Sequence, residues 1–267
     1  MKTLKYLLIT GMFLFMGCKE TIYFPDTTPP APPQGLYTYP GDNFVEIHWT
    51  PNTESDLAGY NVYASTSVNG KYRFIATTRQ NVFIDNGATN GVTYYYSISA
   101  FDINGNESDP SADIAYDTPR PEGYGVRLVN YLANPDKSGY DFSTYSIGPY
   151  DDNYSDMFYE YSNGQAYMDV WKDTDIQDMG YTNSLYTIEN APTNGWSPTK
   201  DIRLIEGHTY VLWTWNNHYA KFRVMQISPS NVIFDWTYQL QEGNVRLKTA
   251  PDRAKLTAGE GFLSRHK

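Results

Sequence analysis

Two runs of the sequence concentrate the carboxylates that metal binding and glycoside hydrolysis require. They are PYDDNYSD at residues 149–156 and WKDTDIQD at residues 171–178. Carboxylate oxygens bind divalent cations, and two carboxyl groups roughly 5–9.5 Å apart can hydrolyse a glycosidic bond. Solvated turns between strands are also commonly rich in aspartate. We therefore predict that both runs are turns and that neither is a metal or catalytic site, with a glycoside hydrolase as an alternative.

A third oxygen-rich segment, DINGNESD at residues 102–109, has some features of a calcium loop. Its Gly105 is not at the sixth position, and no glutamate closes a twelve-residue loop, so we predict a hairpin turn. The sequence has no GxSxG elbow, no glycine-rich phosphate loop after a strand and no histidine pair with metal-ligand spacing. We predict that the protein is not an enzyme and needs no cofactor.

Aromatic side chains offer a different chemistry, because exposed rings can stack on sugars. Five of the six tryptophans lie after residue 120, so this chemistry is concentrated in the second half of the chain. The candidate ligand-binding residues are Trp171, Trp196, Trp213 and Trp215. The competing interpretation, which we favour, is that large aromatics fill a β core. It places Trp213 and Trp236 inside and leaves Trp196 exposed in the loop NAPTNGWSPTK.

The elements that would position these residues are short alternating strands. In FVEIHWT at residues 44–50, Val45, Ile47 and Trp49 share one face. GYNVYAS, KYRFIATT and VTYYYSISAFD follow, separated by turn-forming residues. The pattern predicts an all-β domain over residues 33–118.

This domain resembles the fibronectin type III family. The resemblance is carried by Trp49, Tyr60, Val62 and the hairpin GVTYYYSISAFDINGNESDPS. It implies a sandwich of two sheets with a spacer or adhesive role. It also implies that Tyr94 is the corner tyrosine, whose hydroxyl is tied to nearby backbone.

A second, larger antiparallel β domain, a sandwich or flattened barrel, is predicted for residues 122–250 after the boundary DTPRPEGYG. Its clearest hairpin is HTYVLWTWNNHYAKFRV. A two-residue turn at Asn216 and Asn217 would pair Trp213 with Ala220.

The same hairpin resembles, loosely, the late hairpin of HmuY-type haem-binding lipoproteins. That family holds haem iron between two side chains, commonly histidines. Here the domain offers His208 and His218, which the predicted hairpin places at opposite ends, roughly 20 Å apart. The ligand pair does not carry over, and scavenging of haem or another small ligand remains an alternative function.

The N-terminus combines Lys2 and Lys5 with an apolar stretch at residues 7–16 that is too short to span a membrane. Gly17 and Cys18 follow, and the whole resembles a bacterial lipoprotein lipobox, although Phe15 replaces the preferred leucine. The resemblance implies a signal peptide at residues 1–17 and acylation of Cys18, for example by palmitate. An ordinary secretory peptide is the alternative.

The remaining segments and the charge complete the expected organisation. Residues 18–32 form a proline-rich tether, and residues 251–267 a flexible tail. Thirty acidic residues against 20 basic ones give a net charge of −10, which argues against nucleic acid as a partner. We predict a non-catalytic binding or assembly module, lipid-anchored at the cell envelope in the outer membrane of a Gram-negative bacterium. Its aromatic-rich domain would contact a glycan or another envelope protein.

Overall fold

The structure, a computed structural model, describes residues 26–248. Within this range the chain forms seventeen β-strands and two short 3-10 turns, with no α-helix. No helix in the described part is long and apolar enough to cross a membrane. Cys18, the expected signal peptide, the start of the expected tether and the expected tail at residues 251–267 lie outside the described residues.

The first seven strands form a sandwich of two sheets, called here the first sandwich. One sheet has the order β1-β2-β5 and the other the order β4-β3-β6-β7. Hydrogen-bonded neighbours are antiparallel throughout. The expected fibronectin type III sandwich is confirmed. Its strands are β1 (Gln34–Gly41), β2 (Phe44–Thr50), β3 (Leu57–Ser65), β4 (Arg73–Thr78), β5 (Val82–Asp85), β6 (Tyr94–Asp102) and β7 (Ala115–Asp117).

The core of the first sandwich follows the predicted alternation. Val45, Ile47 and Trp49 of β2 are buried between the sheets. The ring of Trp49 meets that of Tyr60 edge to face, with centroids 5.1 Å apart. The Tyr94 hydroxyl accepts a 3.2 Å hydrogen bond from a backbone amide five residues upstream, as expected of the corner tyrosine.

The next ten strands form a second sandwich, again of two antiparallel sheets. Their orders are β10-β9-β11-β12-β14 and β13-β15-β16-β17-β8. Both sheets are open, so of the two predicted architectures the sandwich is correct. The strands are β8 (Glu122–Val129), β9 (Gly139–Asp141), β10 (Ser146–Gly148), β11 (Met157–Ser162), β12 (Gln165–Val170), β13 (Asp175–Tyr181), β14 (Asp201–Arg203), β15 (His208–Trp213), β16 (Tyr219–Ser228) and β17 (Asn231–Gln239).

One apolar cluster joins the two sheets of the second sandwich. Tyr140 from the β9 sheet contacts Phe234 and Trp236 from the opposite sheet, with ring centroids 5.7 Å apart in both pairs. Trp236 is 3% exposed, so its predicted core position is confirmed. Aromatic packing therefore accounts for part of the tryptophan and tyrosine content.

One predicted turn of the second sandwich differs from the structure. The run 171–178 is a turn only as far as residue 174, because β13 begins at Asp175 and buries Ile176. Its aspartates suit an edge strand, where charge discourages pairing with another chain. Residues 185–187 form a 3-10 turn, and Arg246 forms an isolated bridge to Asn190.

The β15–β16 hairpin is one residue away from the predicted register. Trp213 pairs with Tyr219 and not with Ala220, and a five-residue turn at 214–218 joins the strands. Asn217 adopts the left-handed conformation with φ 61°, and its amide donates a 2.9 Å hydrogen bond to the carbonyl of the turn's first residue. A five-residue turn with a left-handed Asn217 replaces the expected two-residue turn.

The end of the described chain connects the two sandwiches. Arg120, which is 1% exposed, donates hydrogen bonds to the carbonyl oxygens of Arg246 and Lys248. The Lys248 ammonium in turn donates a 2.9 Å hydrogen bond to the carbonyl of Thr38 in the first sandwich. Residues 246–248 are therefore held by both sandwiches.

Candidate functional site

A cleft of about 530 Å³ opens at one end of the second sandwich. It brings together the two aspartate-rich runs that the sequence analysis considered separately, and it adds a tryptophan from the β15–β16 turn. The lining residues are Asp151, Asp152, Asn153, Ser155, Trp171, Lys172, Asp173, Thr174 and Trp215.

The sheet topology explains why these segments meet. Trp171 directly follows β12, and residues 171–174 carry the chain across to β13 in the opposite sheet. Because β13 pairs with β15, Asp175 lies opposite Trp213, and the turn that carries Trp215 is close by. The cleft thus forms where the ends of the two sheets come together.

The two tryptophans of the cleft are exposed. Trp171 is 39% and Trp215 is 53% exposed, whereas the core tryptophans are almost fully covered. An exposed large aromatic beside converging polar groups is typical of a ligand site. Trp171 is also supported from behind, because its ring contacts that of Phe158 with centroids 5.7 Å apart.

The polar groups of the cleft are fixed by turns. One Asp152 oxygen accepts backbone hydrogen bonds from Tyr154 at 2.9 Å and Ser155 at 2.7 Å. The Thr174 amide donates a 2.9 Å hydrogen bond to the carbonyl of Trp171, which closes the turn between the sheets. Carboxylates and amides held in this way can hydrogen-bond the hydroxyl groups of a ligand without rearranging.

The other two candidate tryptophans do not line the cleft. Trp196 and Trp213 contact each other on the outer face of the β15 sheet, with centroids 6.3 Å apart. Trp213 is 38% exposed, so its expected burial is wrong. Its indole N–H donates a 2.9 Å hydrogen bond to Asn217, which holds the ring at the surface. Trp196, expected in an exposed loop, is half-buried against a small apolar cluster that includes Val211.

One carboxyl group next to the cleft has an unusual environment. Asp156 is 3% exposed, and its Oδ2 accepts a 2.9 Å hydrogen bond from the Phe142 amide. Its Oδ1 has no partner within the described part of the chain. Burial raises the pKa of Asp156 to about 7, which suits a general acid. Asp156 is not among the residues that line the cleft, so a bound ligand would not touch it.

The two histidines considered as haem ligands are engaged separately. Nδ1 of His208 lies 2.9 Å from a carboxylate oxygen of Asp178. Nδ1 of His218 lies 2.9 Å from the carbonyl oxygen of Gln239. His208 begins β15 and His218 ends the following turn, so they occupy opposite ends of the hairpin strand.

The loop at residues 102–109 lies beside carboxylates that are distant from it in the sequence. Oxygen atoms of Asp26, Asp56 and Asp102 lie within 4.8 Å of one another. Asp102 already accepts amide hydrogen bonds of 2.9 Å from Asn104 and 2.8 Å from Asn106. These hydrogen bonds satisfy the buried Asp102 carboxylate and fix the hairpin turn.

The sequence signal for the cleft was present but incomplete. The aspartate runs and the tryptophans are each visible in the sequence, while their convergence depends on the pairing of β13 with β15. The aspartates of residues 171–178 predict a turn, so the sequence does not indicate this pairing.

Comparisons with known proteins give two groups of similarities. No protein-family model matches the chain. The chain is 31% identical over 180 residues to an amylopullulanase of Thermoanaerobacterium saccharolyticum, covering 62% of this chain and 14% of that protein. It is 30% identical over 174 residues to exoglucanase B of Cellulomonas fimi, covering 64% of this chain and 15% of that protein. The chain therefore spans about a seventh of these relatives' length.

Among solved structures, a fibronectin type III-like protein from Clostridium thermocellum is 32% identical, with a TM-score of 0.30. That match covers 36% of this chain and 100% of the other. A β-1,2-glucanase from Parabacteroides distasonis is 26% identical with a TM-score of 0.32, covering 38% of this chain and 14% of the glucanase.

Proposed function

We propose that this protein is a lipid-anchored, non-catalytic module of the bacterial cell envelope that binds a neutral glucan through its second sandwich. The observation that carries the proposal is the convergence of Trp171 and Trp215, both exposed, in one cleft with carboxylate, amide and hydroxyl groups.

The chemistry of the cleft suits sugar rings. A hexose ring presents C–H groups on a face and hydroxyl groups at its edges. The electron-rich face of an indole attracts the C–H groups. The side chains of Asp151, Asp152 and Asn153 provide hydrogen-bond partners for the hydroxyls.

The relatives support a glucan rather than another ligand. Two of them are named amylopullulanase and exoglucanase, and this chain resembles a small part of each. A segment shared by proteins named for different glucans fits an accessory role in binding better than a role in catalysis.

The N-terminal half of the molecule is suited to holding the cleft away from the membrane. Acylation of Cys18 would hold the chain at the membrane, and the proline-rich tether and first sandwich would lift the second sandwich away from it. Residues 246–248 tie the two sandwiches together, so the cleft would keep its direction relative to the first sandwich.

Binding can be tested by calorimetry and affinity electrophoresis with soluble starch, pullulan, cello-oligosaccharides and β-1,2-glucan. We expect at least one of these glucans to bind. Trp171→Ala and Trp215→Ala should weaken binding by about tenfold or more, since a ring contact contributes roughly 0.5–1.5 kcal/mol beyond its buried area.

Trp213→Ala is the matched control, because Trp213 is as exposed as Trp171 but lies outside the cleft. It should leave binding unchanged. The absence of binding to every glucan, or an equal loss in the Trp213 variant, would contradict the proposed site. Release of shorter sugars from any glucan would contradict the non-catalytic role.

A further inference from the structure

The strand that ends at the cleft carries a row of side chains on its outer surface. Ala166, Met168 and Val170 of β12 are buried in the core. Because side chains alternate along a strand, Tyr167, Asp169 and the following Trp171 share the opposite face. From Tyr167 to Trp171 this row extends roughly 13 Å at ~3.3 Å per residue.

The neighbouring strands widen the row into a surface. Directly opposed residues share a face, and Asp169 is opposed by Phe158 of β11 and Asp201 of β14. Tyr167 is likewise flanked by Glu160 and Arg203. The surface therefore combines aromatic rings with hydrogen-bonding groups. We call it the β12 face, and its residues are Phe158, Glu160, Tyr167, Asp169, Trp171, Asp201 and Arg203.

Aromatic contacts make this surface continuous with the cleft. The ring of Phe158 lies 5.7 Å from Trp171 and 5.2 Å from Tyr150, centroid to centroid. Tyr131 lies 5.0 Å from Tyr150 and 5.4 Å from Phe158. All of these rings are at least partly exposed. Within the described residues, the hydroxyls of Tyr131, Tyr150 and Tyr167 have no hydrogen-bond partner that would occupy them.

Asp169, in the middle of the face, lies beside the carboxyl of Glu160. Burial, followed by the neighbouring charges of Glu160 and Asp201, raises the pKa of Asp169 to about 7. One Asp169 oxygen is buried without a partner in the described part of the chain. Near neutral pH the Asp169 carboxyl can therefore hold a proton, and the Glu160 side chain lies within hydrogen-bonding reach of it. A surface that both donates and accepts is suited to hydroxyl groups.

We propose that the β12 face is an elongated subsite that continues the cleft, so that the interior of a neutral glucan chain lies along β12 from Trp171 to Tyr167. The inference rests on the proposed function and specifies its ligand as a chain segment rather than a chain end. The acids at positions 160 and 201 disfavour uronic-acid polymers by like-charge repulsion.

The test is the dependence of affinity on ligand length, measured by calorimetry with malto-oligosaccharides and cello-oligosaccharides from the disaccharide to the hexasaccharide. The two series distinguish an α-linked from a β-linked chain. For the wild-type protein we expect affinity to rise up to at least the pentasaccharide. Tyr167→Ala should weaken hexasaccharide binding by about tenfold and leave disaccharide binding unchanged. Trp171→Ala should weaken both.

Tyr150→Ala provides a second variant on a loop, in case Tyr167→Ala disturbs the strand. Tyr181→Ala is the matched control, since Tyr181 is 70% exposed on the opposite sheet. A wild-type affinity that does not rise beyond the disaccharide, or a hexasaccharide affinity unchanged in both the Tyr167 and Tyr150 variants, would overturn the elongated subsite but leave the cleft standing. No binding by either series, starch, pullulan or β-1,2-glucan would overturn the proposed function as well.

Discussion

Nη1 of Arg120 donates a 2.7 Å hydrogen bond to the carbonyl oxygen of Arg246, a residue 126 positions later in the chain. The other terminal nitrogen bonds the carbonyl of Lys248. Burial lowers the pKa of Arg120 to about 10, which leaves the side chain charged at neutral pH. A buried charge is costly unless it is compensated. The two carbonyls and nearby Asp117 provide that compensation and fix the last described residues between the sandwiches.

Arg120→Ala should therefore destabilise the protein by about 3 kcal/mol, because two carbonyls lose a charged donor. Urea titration followed by tryptophan fluorescence measures the change. In this variant we expect two separate unfolding transitions, one for each sandwich, in place of a single one. Arg127→Ala, an exposed arginine on β8, is the control and should change stability by less than about 0.5 kcal/mol. An unchanged midpoint for Arg120→Ala would show that the hydrogen bonds from Arg120 to residues 246 and 248 do not contribute to stability.

Much of the fold could be predicted from local patterns. The alternation around Trp49 and the run from Tyr94 to Ala100 identify buried faces without further information. The predictions fail where tertiary contacts decide the outcome. Asp175 and Asp178 suggest a turn, yet pairing with β15 makes them part of an edge strand. The turn after Trp213 contains two asparagines that suit a shorter loop, and only Asn217 takes the left-handed conformation.

The candidate site was harder to predict than the fold. Trp171 and Trp215 come from different sheets, so no spacing in the sequence indicates that they meet. The same limit applied to Arg120, whose partners lie at the other end of the domain. Periodicity identifies which face a residue occupies, while a site depends on which faces are brought together.

Trp49→Ala should cost about 3–5 kcal/mol, because it opens a large cavity between the sheets of the first sandwich. Trp215→Ala, which removes a 53% exposed ring, should change the free energy of unfolding by less than about 0.5 kcal/mol. Denaturant titration of both variants measures this difference. Similar small losses in the two proteins would be inconsistent with a core position for Trp49.

Cys18→Ala should release the protein from the membrane fraction. The mature terminus of a lipoprotein carries several acyl chains, enough for stable residence, and the variant would lack the sulfur to which lipid is attached. Fractionation of cells, with mass spectrometry of the N-terminal peptide, checks the prediction. A wild-type protein that is soluble and carries a free thiol at Cys18 would contradict it.

Asp156 should make stability depend on pH. Its pKa in the folded protein is about 7, above the value of about 3.9 expected in the unfolded chain. Between these values the folded state binds a proton that the unfolded state has released, so the contribution of Asp156 to stability falls as pH rises from about 4 to about 7. The total change is on the order of 4 kcal/mol, at 1.36 kcal/mol per pKa unit.

Asp156→Asn removes this titration while keeping an oxygen for the Phe142 amide. The free energy of unfolding of the variant relative to wild type should therefore rise with pH over the same interval and level off above about pH 7. Urea titrations across this range measure it. Asp151→Asn, an exposed aspartate in the same loop, is the control for the removal of one surface carboxyl. Parallel pH profiles for wild type and Asp156→Asn would mean that Asp156 has the same pKa in the folded and the unfolded protein and is ionised in the folded state above about pH 4. Its unpartnered oxygen would then need a donor that the described residues do not supply.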